Sequence, residues 1–225
     1  FNKNLPQSYR LKIAMDRKKD QTYFLYRLTG KILSKIIFPL ATYTKQEVKG
    51  IYSQLKFNIE MQKESQDLCY GKTHEILKLY CSQSKKNCGN IVNIHGNILG
   101  QHNGIWNYTI GQRKLLCTNI KQKATSLPLY VIKILPSKNE IIVSDNKLDL
   151  YSSYCTVTNV VWHIPLQTNI IHCIIKLRSQ HLGAKAMIIV NKLTVKFHEP
   201  QKAITPGQSA VFYNGDYVIG GGIIL

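Results

Sequence analysis

The chain has 225 residues, with 30 Lys+Arg against 12 Asp+Glu, a formal charge of +18 and 44% hydrophobic residues. That apolar fraction excludes a disordered chain and supports a packed core, in one large domain or two to three small ones. No apolar run reaches the roughly 18–20 residues that span a bilayer, and the first twenty residues carry no signal-type hydrophobic stretch, so a soluble, unprocessed chain with no membrane partner is expected.

The first third reads as helical. From Asp20 to Phe38 the residues Phe24, Leu25, Leu28, Ile32, Leu33, Ile36 and Ile37 recur at three- and four-residue steps until Pro39 ends the pattern. Thr44-Lys45-Gln46-Glu47 is a capping box opening a second helix through Val48, Ile51, Tyr52 and Leu55. A third is expected near Thr73, after a polar loop over residues 63–71 that holds Cys69. Beyond Lys85 the period becomes two. Strands at Ile91–Ile94 and Ile98–Gly100, Tyr130–Leu135 and Glu140–Ser144, and Val211–Tyr213 and Tyr217–Ile219 each flank a turn signal. Further strands fit Cys155–Trp162, Ile170–Leu177, Lys185–Val190 and Thr194–His198. Short strands with no helical pattern between them indicate two small antiparallel β domains, with a boundary near residues 145–151.

The charge is spread along the chain, with excesses of +9, +6 and +3 over residues 1–85, 86–148 and 149–225. Because 25 of the 30 cations are Lys and Ile occupies 28 positions, AT-rich codon usage accounts for part of the composition, but not for the shortage of acids. A polyanionic partner is the stronger reading. Six cysteines (69, 81, 88, 117, 155 and 173) without a secretory signal are expected to be reduced thiols. No Cys-x-x-Cys occurs, and Cys81 and Cys88 with His74 and His95 lack zinc-ligand spacing, so no metal site is expected.

Five segments carry chemistry. Lys18-Lys19-Asp20-Gln21 sits at a helix N-terminus, where anions are favoured, though a solvated cap explains it as well. Tyr108 to Lys114 sets an aromatic and a glycine beside Gln112, Arg113 and Lys114, a mixture suited to stacking on bases and holding phosphates, or else a charged turn. Thr205-Pro206-Gly207-Gln208-Ser209 is a tight turn into a strand, and Gly220-Gly221-Gly222 calls for flexible backbone close to the terminus, or else both segments are purely structural. Cys69, in a polar loop before a helix start, is the candidate reactive thiol, whereas Cys155 and Cys173 read as core residues. No nucleotide-binding glycine loop is present in these residues.

In this order the segments resemble the C-terminal portion of the tRNA-specific 2-thiouridylase family. The resemblance runs through Asp16-x-x-Lys19-Asp20-Gln21-Thr22-Tyr23-Phe24-Leu25, Phe38-Pro39-Leu40, Lys45-x-Glu47-Val48, Ser65-Gln66-Asp67-Leu68-Cys69-Tyr70, Leu99-Gly100-x-His102-x-Gly104, Tyr108 to Lys114, Pro200-Gln201-x-Ala203-x-Thr205 through Tyr213, and Gly220-Gly221-Gly222. It implies an α+β multidomain chain. Residues 1–85 would be the C-terminal helical part of an adenine-nucleotide alpha hydrolase-like α/β domain, the ATP-pyrophosphatase catalytic domain. Residues 86–148 would be a central β domain, and 149–225 an elongation-factor-like β-barrel.

The implied activity is ATP-dependent 2-thiolation of the wobble uridine (position 34) of tRNA, with Mg²⁺, through a persulfide on Cys69. A second, upstream cysteine would form a disulfide with it as sulfur is released. The resemblance further implies tRNA contacts at Lys19, Asp20, Gln21, Arg178, Ser179 and Gln208, candidate RNA contacts at Gln112, Arg113 and Lys114, a sulfur-donor or sulfur-relay protein as partner, and a monomer in complete form. It implies a bacterial cytoplasm, or a mitochondrion or plastid in a eukaryote.

The sequence departs from the family in lacking its Ser-Gly-Gly-x-Asp-Ser ATP loop and the upstream cysteine, so ATP-binding residues are expected outside this chain and the chain reads as one part of a larger enzyme. Leu115 replaces the family's usual Gly, and Ser179-Gln180 replace its Tyr-Arg. Two rival readings stand beside this one: a non-catalytic RNA-binding module, and a structural barrel whose basicity is codon bias.

Overall fold

The computed structural model describes residues 9–55, 88–113 and 128–225. These fall into two compact units, one drawn from Phe1–Asn58 with Ser152–Leu225 and the other from Ile59–Tyr151. The expected third helix, and the loop of Cys69, lie outside the described residues.

The second unit is a four-stranded sheet of β1 (Gly89–Asn93), β2 (Ile98–His102), β3 (Tyr130–Leu135) and β4 (Glu140–Ser144), in the order β2-β1-β4-β3. Both predicted hairpins form. In the first, the Asn93 side-chain carbonyl accepts from the N–H groups of His95 and Asn97, at 3.0 and 2.9 Å, closing the turn at Gly96. The sheet is nevertheless mixed and not antiparallel as expected, because β1 and β4 run parallel from Asn90↔Glu140 to Asn93↔Val143. Turn chemistry fixes each hairpin, but the pairing of one hairpin with the other is non-local and leaves no periodic trace. Ile91, Val131, Ile141 and Val143 form the buried face, with Tyr108 packed among them.

The first unit contains a closed barrel of β5 (Tyr151–Trp162), β6 (Ile170–Lys176), β7 (Ala184–Ile189), β8 (Thr194–Lys202), β9 (Ser209–Asn214) and β10 (Tyr217–Ile224), in the order β10-β5-β8-β7-β6-β9. The period of two is what fills it. Cys155 and Val157, Ala186 and Ile188, Val195 and Phe197, and Ala210 and Phe212 alternate inward from their strands. Burying each large apolar side chain stabilises the barrel by roughly 1.5–3 kcal/mol.

On β9 the outward residues are buried too. Val211 and Tyr213 pack with Val218 against Leu11, Tyr23, Tyr26 and Leu33 of the N-terminal segment. That segment joins the barrel through backbone bonds: Ile13 N–H donates to Asp216, and Val218 N–H donates to Leu11, each at 2.9 Å. It then forms α1 (Thr22–Leu25), α2 (Gly30–Leu33) and α3 (Lys45–Gln54). The single helix expected over residues 20–38 is therefore two short ones. The Tyr26 carbonyl, which a continuous helix would offer to the N–H of Gly30, instead lies 2.6 Å from His163 Nε2 of the barrel. The capping box of α3 forms as expected, with Glu47 N–H donating to Thr44 Oγ1 and Thr44 N–H to Glu47 Oε2.

Gly220, Gly221 and Gly222 lie within β10 and are closely packed, so of the two readings the geometry favours the structural one. A Cβ on Gly221 would sit 2.5 Å from the Tyr26 ring and 3.0 Å from the Ala210 carbonyl oxygen. Glycine at this position leaves the space that the Tyr26 ring occupies. Gly221→Ala is therefore expected to cost about 1–3 kcal/mol by overpacking. A thermal melt of the chain followed by circular dichroism, showing a loss of about 2–4 °C per kcal/mol, checks it.

Candidate nucleic-acid interface

In the first unit, the turn before α1 is built by two carboxylates. Asp16 accepts from Lys18 N–H and from Lys45 N–H at the start of α3, each at 3.0 Å, and these backbone donors hold its pKa below the usual carboxylate value, that from Lys45 contributing most. Asp20 accepts from Ala14 N–H at 3.0 Å and from the Thr22 hydroxyl at 2.6 Å. Since the Thr22 proton is spent on Asp20, the Tyr213 hydroxyl 3.3 Å away is the donor to Thr22 Oγ1. Burial pushes the Tyr213 phenol up to about 12, which keeps that proton in place. Asp20 is thus engaged within the fold, and the exposed Lys19 and Gln21 stand on either side of it.

At the other end of β9, Tyr23 donates to the Ser209 carbonyl at 2.8 Å, and Ser209 Oγ donates to the Tyr26 hydroxyl at 3.1 Å. Gln208 immediately precedes, in a turn closed by its N–H on the Thr205 carbonyl, with Gly207 in the left-handed region at φ +85°. Pro then Gly at the centre of that turn is the pairing such a turn requires. Strand β6 runs alongside β9 with Lys176 opposite Val211. Two residues on, the exposed Arg178 donates to the Lys202 carbonyl at 3.1 Å. Lys176 Nζ lies 5.4 Å from the centre of the Tyr213 ring.

The fold therefore gathers Lys19, Gln21, Arg178 and Gln208 around the two ends of one strand, although they are distant in sequence. Ser179 is exposed next to Arg178. Sequence reasoning missed Lys176 and the tyrosines 23, 26 and 213 that carry this arrangement. The spacing Lys176-x-Arg178, at the end of a predicted strand and just beyond it, was the available signal.

The second unit corrects another expectation. Tyr108 is buried, its ring edge against His102, and so offers no face for a base. The Gln112 side chain accepts from Thr109 N–H at 3.0 Å and closes its own turn, Arg113 is exposed, and Lys114 lies outside the described residues. His102 is wholly buried with both ring nitrogens engaged, one by Gly104 N–H and one at the Asn139 carbonyl, and burial lowers its pKa. It is a neutral structural residue.

Among the described cysteines, burial pushes Cys155 and Cys173 up to about 12, and neither is suited to thiolate chemistry. Cys88 is exposed and reaches Asn103 Oδ1 at 3.8 Å. Among the described residues no group of three or more His, Cys, Asp or Glu could hold a metal, and no helix is long and apolar enough to cross a membrane.

Comparison with known proteins divides the chain into three matches: a tRNA methyl transferase HUP domain over residues 2–73, a tRNA methyl transferase PRC-barrel domain over 75–145, and an aminomethyltransferase beta-barrel domain over 152–224. The chain is 45% identical to the tRNA-specific 2-thiouridylase MnmA of Endomicrobium trichonymphae, covering 96% of the chain and 59% of that protein. It is 41% identical to that of Gloeothece citriformis (96% and 62%) and 39% identical to that of Rippkaea orientalis (98% and 63%). The chain thus spans about three fifths of the length of these relatives. With three successive domain matches and identities near 40% along almost all of its residues, the chain belongs to the tRNA-specific 2-thiouridylase MnmA family.

Proposed function

We propose that this chain is the RNA-binding and sulfur-carrying part of a tRNA-uridine 2-sulfurtransferase. The observation that carries the reading is the cluster around β9, where Lys19 and Gln21 at one end and Arg178 and Gln208 at the other present cations and amides on one unit of the fold. Cations fix the phosphate backbone, and side-chain amides read unpaired bases. Asp20 acts in this reading by shaping the turn that presents Lys19 and Gln21.

The sulfur chemistry is assigned to Cys69. As a persulfide, its outer sulfur attacks C2 of a uridine whose 2-oxygen has been adenylated, and that oxygen leaves with AMP. A second cysteine then attacks the Cys69 sulfur, forming a disulfide and leaving the outer sulfur on the base as 2-thiouridine. A polarisable thiol of lowered pKa suits both steps. The residues present do not fit an ATP site: the 225 residues contain no Ser-Gly-Gly-x-Asp-Ser run, so no adenylation step is assigned to them.

Given unmodified tRNA, ATP with Mg²⁺ and a persulfide donor, the 225-residue chain alone is expected to release no AMP. Fused behind a domain carrying the Ser-Gly-Gly-x-Asp-Ser loop, it is expected to release AMP and form 2-thiouridine, read by mass spectrometry of the digested tRNA. A fusion that binds tRNA and releases AMP yet leaves the uridine unthiolated would sink the assignment.

A further inference from the structure

Beside the loop joining β6 to β7 the barrel carries a cleft of about 950 Å³, which shares Arg178 with the β9 cluster and extends away from it to Lys185 and Glu199. Arg178 and Lys185 stand on its β6 and β7 sides, and Glu199 and Gln201 of β8 close it. Its loop is built to hold one shape. His181 N–H donates to the Arg178 carbonyl at 3.0 Å, Gly183 N–H donates to His181 Nδ1 at 3.2 Å, and the Arg178 side chain is tied to Lys202. Burial lowers the pKa of His181, which keeps the imidazole neutral and Nδ1 available as that acceptor. This frame presents Leu182 at 99% exposure, an apolar surface open to solvent.

The volume is far more than a phosphate needs and falls within the range of small-molecule sites. The lining combines two cations with one carboxylate, two side-chain amides, two imidazoles and the apolar Leu182. A site for phosphate alone gains nothing from Glu199, which repels it. A carboxylate becomes useful when the ligand brings an amino or imino donor as well as a phosphate, and an unpaired nucleotide with an exposed base edge is such a ligand. Paired A-form RNA is a poor fit, because its base edges are already engaged or lie in a deep, narrow groove.

We propose that this cleft takes one unpaired nucleotide of the bound RNA, its phosphate between Arg178 and Lys185, its base against Leu182 and its donor edge on Glu199. The assignment rests on the RNA-binding reading above and adds to it a site that discriminates single-stranded from paired RNA.

The sign of one substitution separates the possibilities. Removing the Glu199 charge strengthens binding if the cleft holds phosphate only, and weakens it if the carboxylate accepts from a base. Filter binding of the full chain to a tRNA transcript, to a single-stranded oligonucleotide of mixed sequence and to a fully paired RNA duplex reads this. Glu199→Ala is expected to weaken tRNA and single strand about tenfold, the loss of a charge-assisted hydrogen bond, with no loss of duplex binding. Lys185→Gln is expected to weaken tRNA severalfold and to reduce the slope of log affinity against log salt by about 0.7–0.9, one phosphate contact.

Tighter tRNA binding by Glu199→Ala, equal losses on duplex and single strand, or an unchanged slope in Lys185→Gln overturns the cleft assignment while leaving RNA binding intact. Failure of the wild-type chain to bind any of the three RNAs removes the broader reading and this one with it. Both positions are exposed, so melting curves matching the wild type are expected to accompany either result.

Discussion

Cys69→Ser is expected to abolish sulfur transfer by an enzyme containing this chain, by at least about a thousandfold, while tRNA affinity stays within about twofold. Serine preserves size and charge but cannot form the sulfur–sulfur bond of a persulfide, so the step is removed and not merely slowed. The proposed RNA contacts are cations and amides elsewhere, which a neutral exchange at Cys69 leaves in place. The described cysteines sharpen the contrast. Cys155 and Cys173 sit in the barrel with thiols pushed up to about 12 by burial, and are held protonated at neutral pH. Quantifying 2-thiouridine in digested tRNA beside a binding isotherm checks both halves of the expectation. Thiolation at the wild-type rate by the serine variant would remove Cys69 from the mechanism.

The barrel was legible because its information is local. Alternation of two and turn pairs such as Asn214-Gly215 specify strands and hairpins within ten residues, and the Thr44 capping box specifies a helix start within four. What depends on distant chain was not legible. The apolar pattern from Phe24 to Ile37 suggested one long helix, yet Phe24, Ile32 and Ile37 are exposed, while Tyr23, Tyr26 and Leu33 are the residues buried against β9 and β10. Their choice was made by the sheet surface, above all by the gap left at Gly221, which no helical periodicity encodes.

The site was legible in the same divided way. Motif matching nominated Lys19, Gln21, Arg178 and Gln208 one by one, but their gathering around β9 depends on the Thr22–Tyr213 and Tyr23–Ser209 bonds, which join residues almost two hundred positions apart. Tyr108 failed as a stacking residue for the same reason: composition marks an aromatic beside cations, and only tertiary packing decides whether its face is available.

Affinity of the 225-residue chain for tRNA is expected to fall about a thousandfold between 50 and 200 mM salt, a slope near −5 on logarithmic axes, as for a surface neutralising about six or seven phosphates. The composition already leans this way, and the structure adds a reason. With 30 cations and 12 acids, most cations have no carboxylate to pair with, and among the described residues one ion pair is found, Arg17 with Asp216 at 2.8 Å. Lys176 lies on the strand that flanks β9 and Arg178 two residues beyond its end, so part of the positive charge is concentrated where the amides are. Codon bias accounts for lysine in place of arginine but predicts scattered charge with no steep salt response. A nearly flat slope, or no measurable affinity at low salt, would favour the structural-barrel reading. A steep slope that Lys19→Glu and Arg178→Glu together leave unchanged would place the RNA on a different face of the protein.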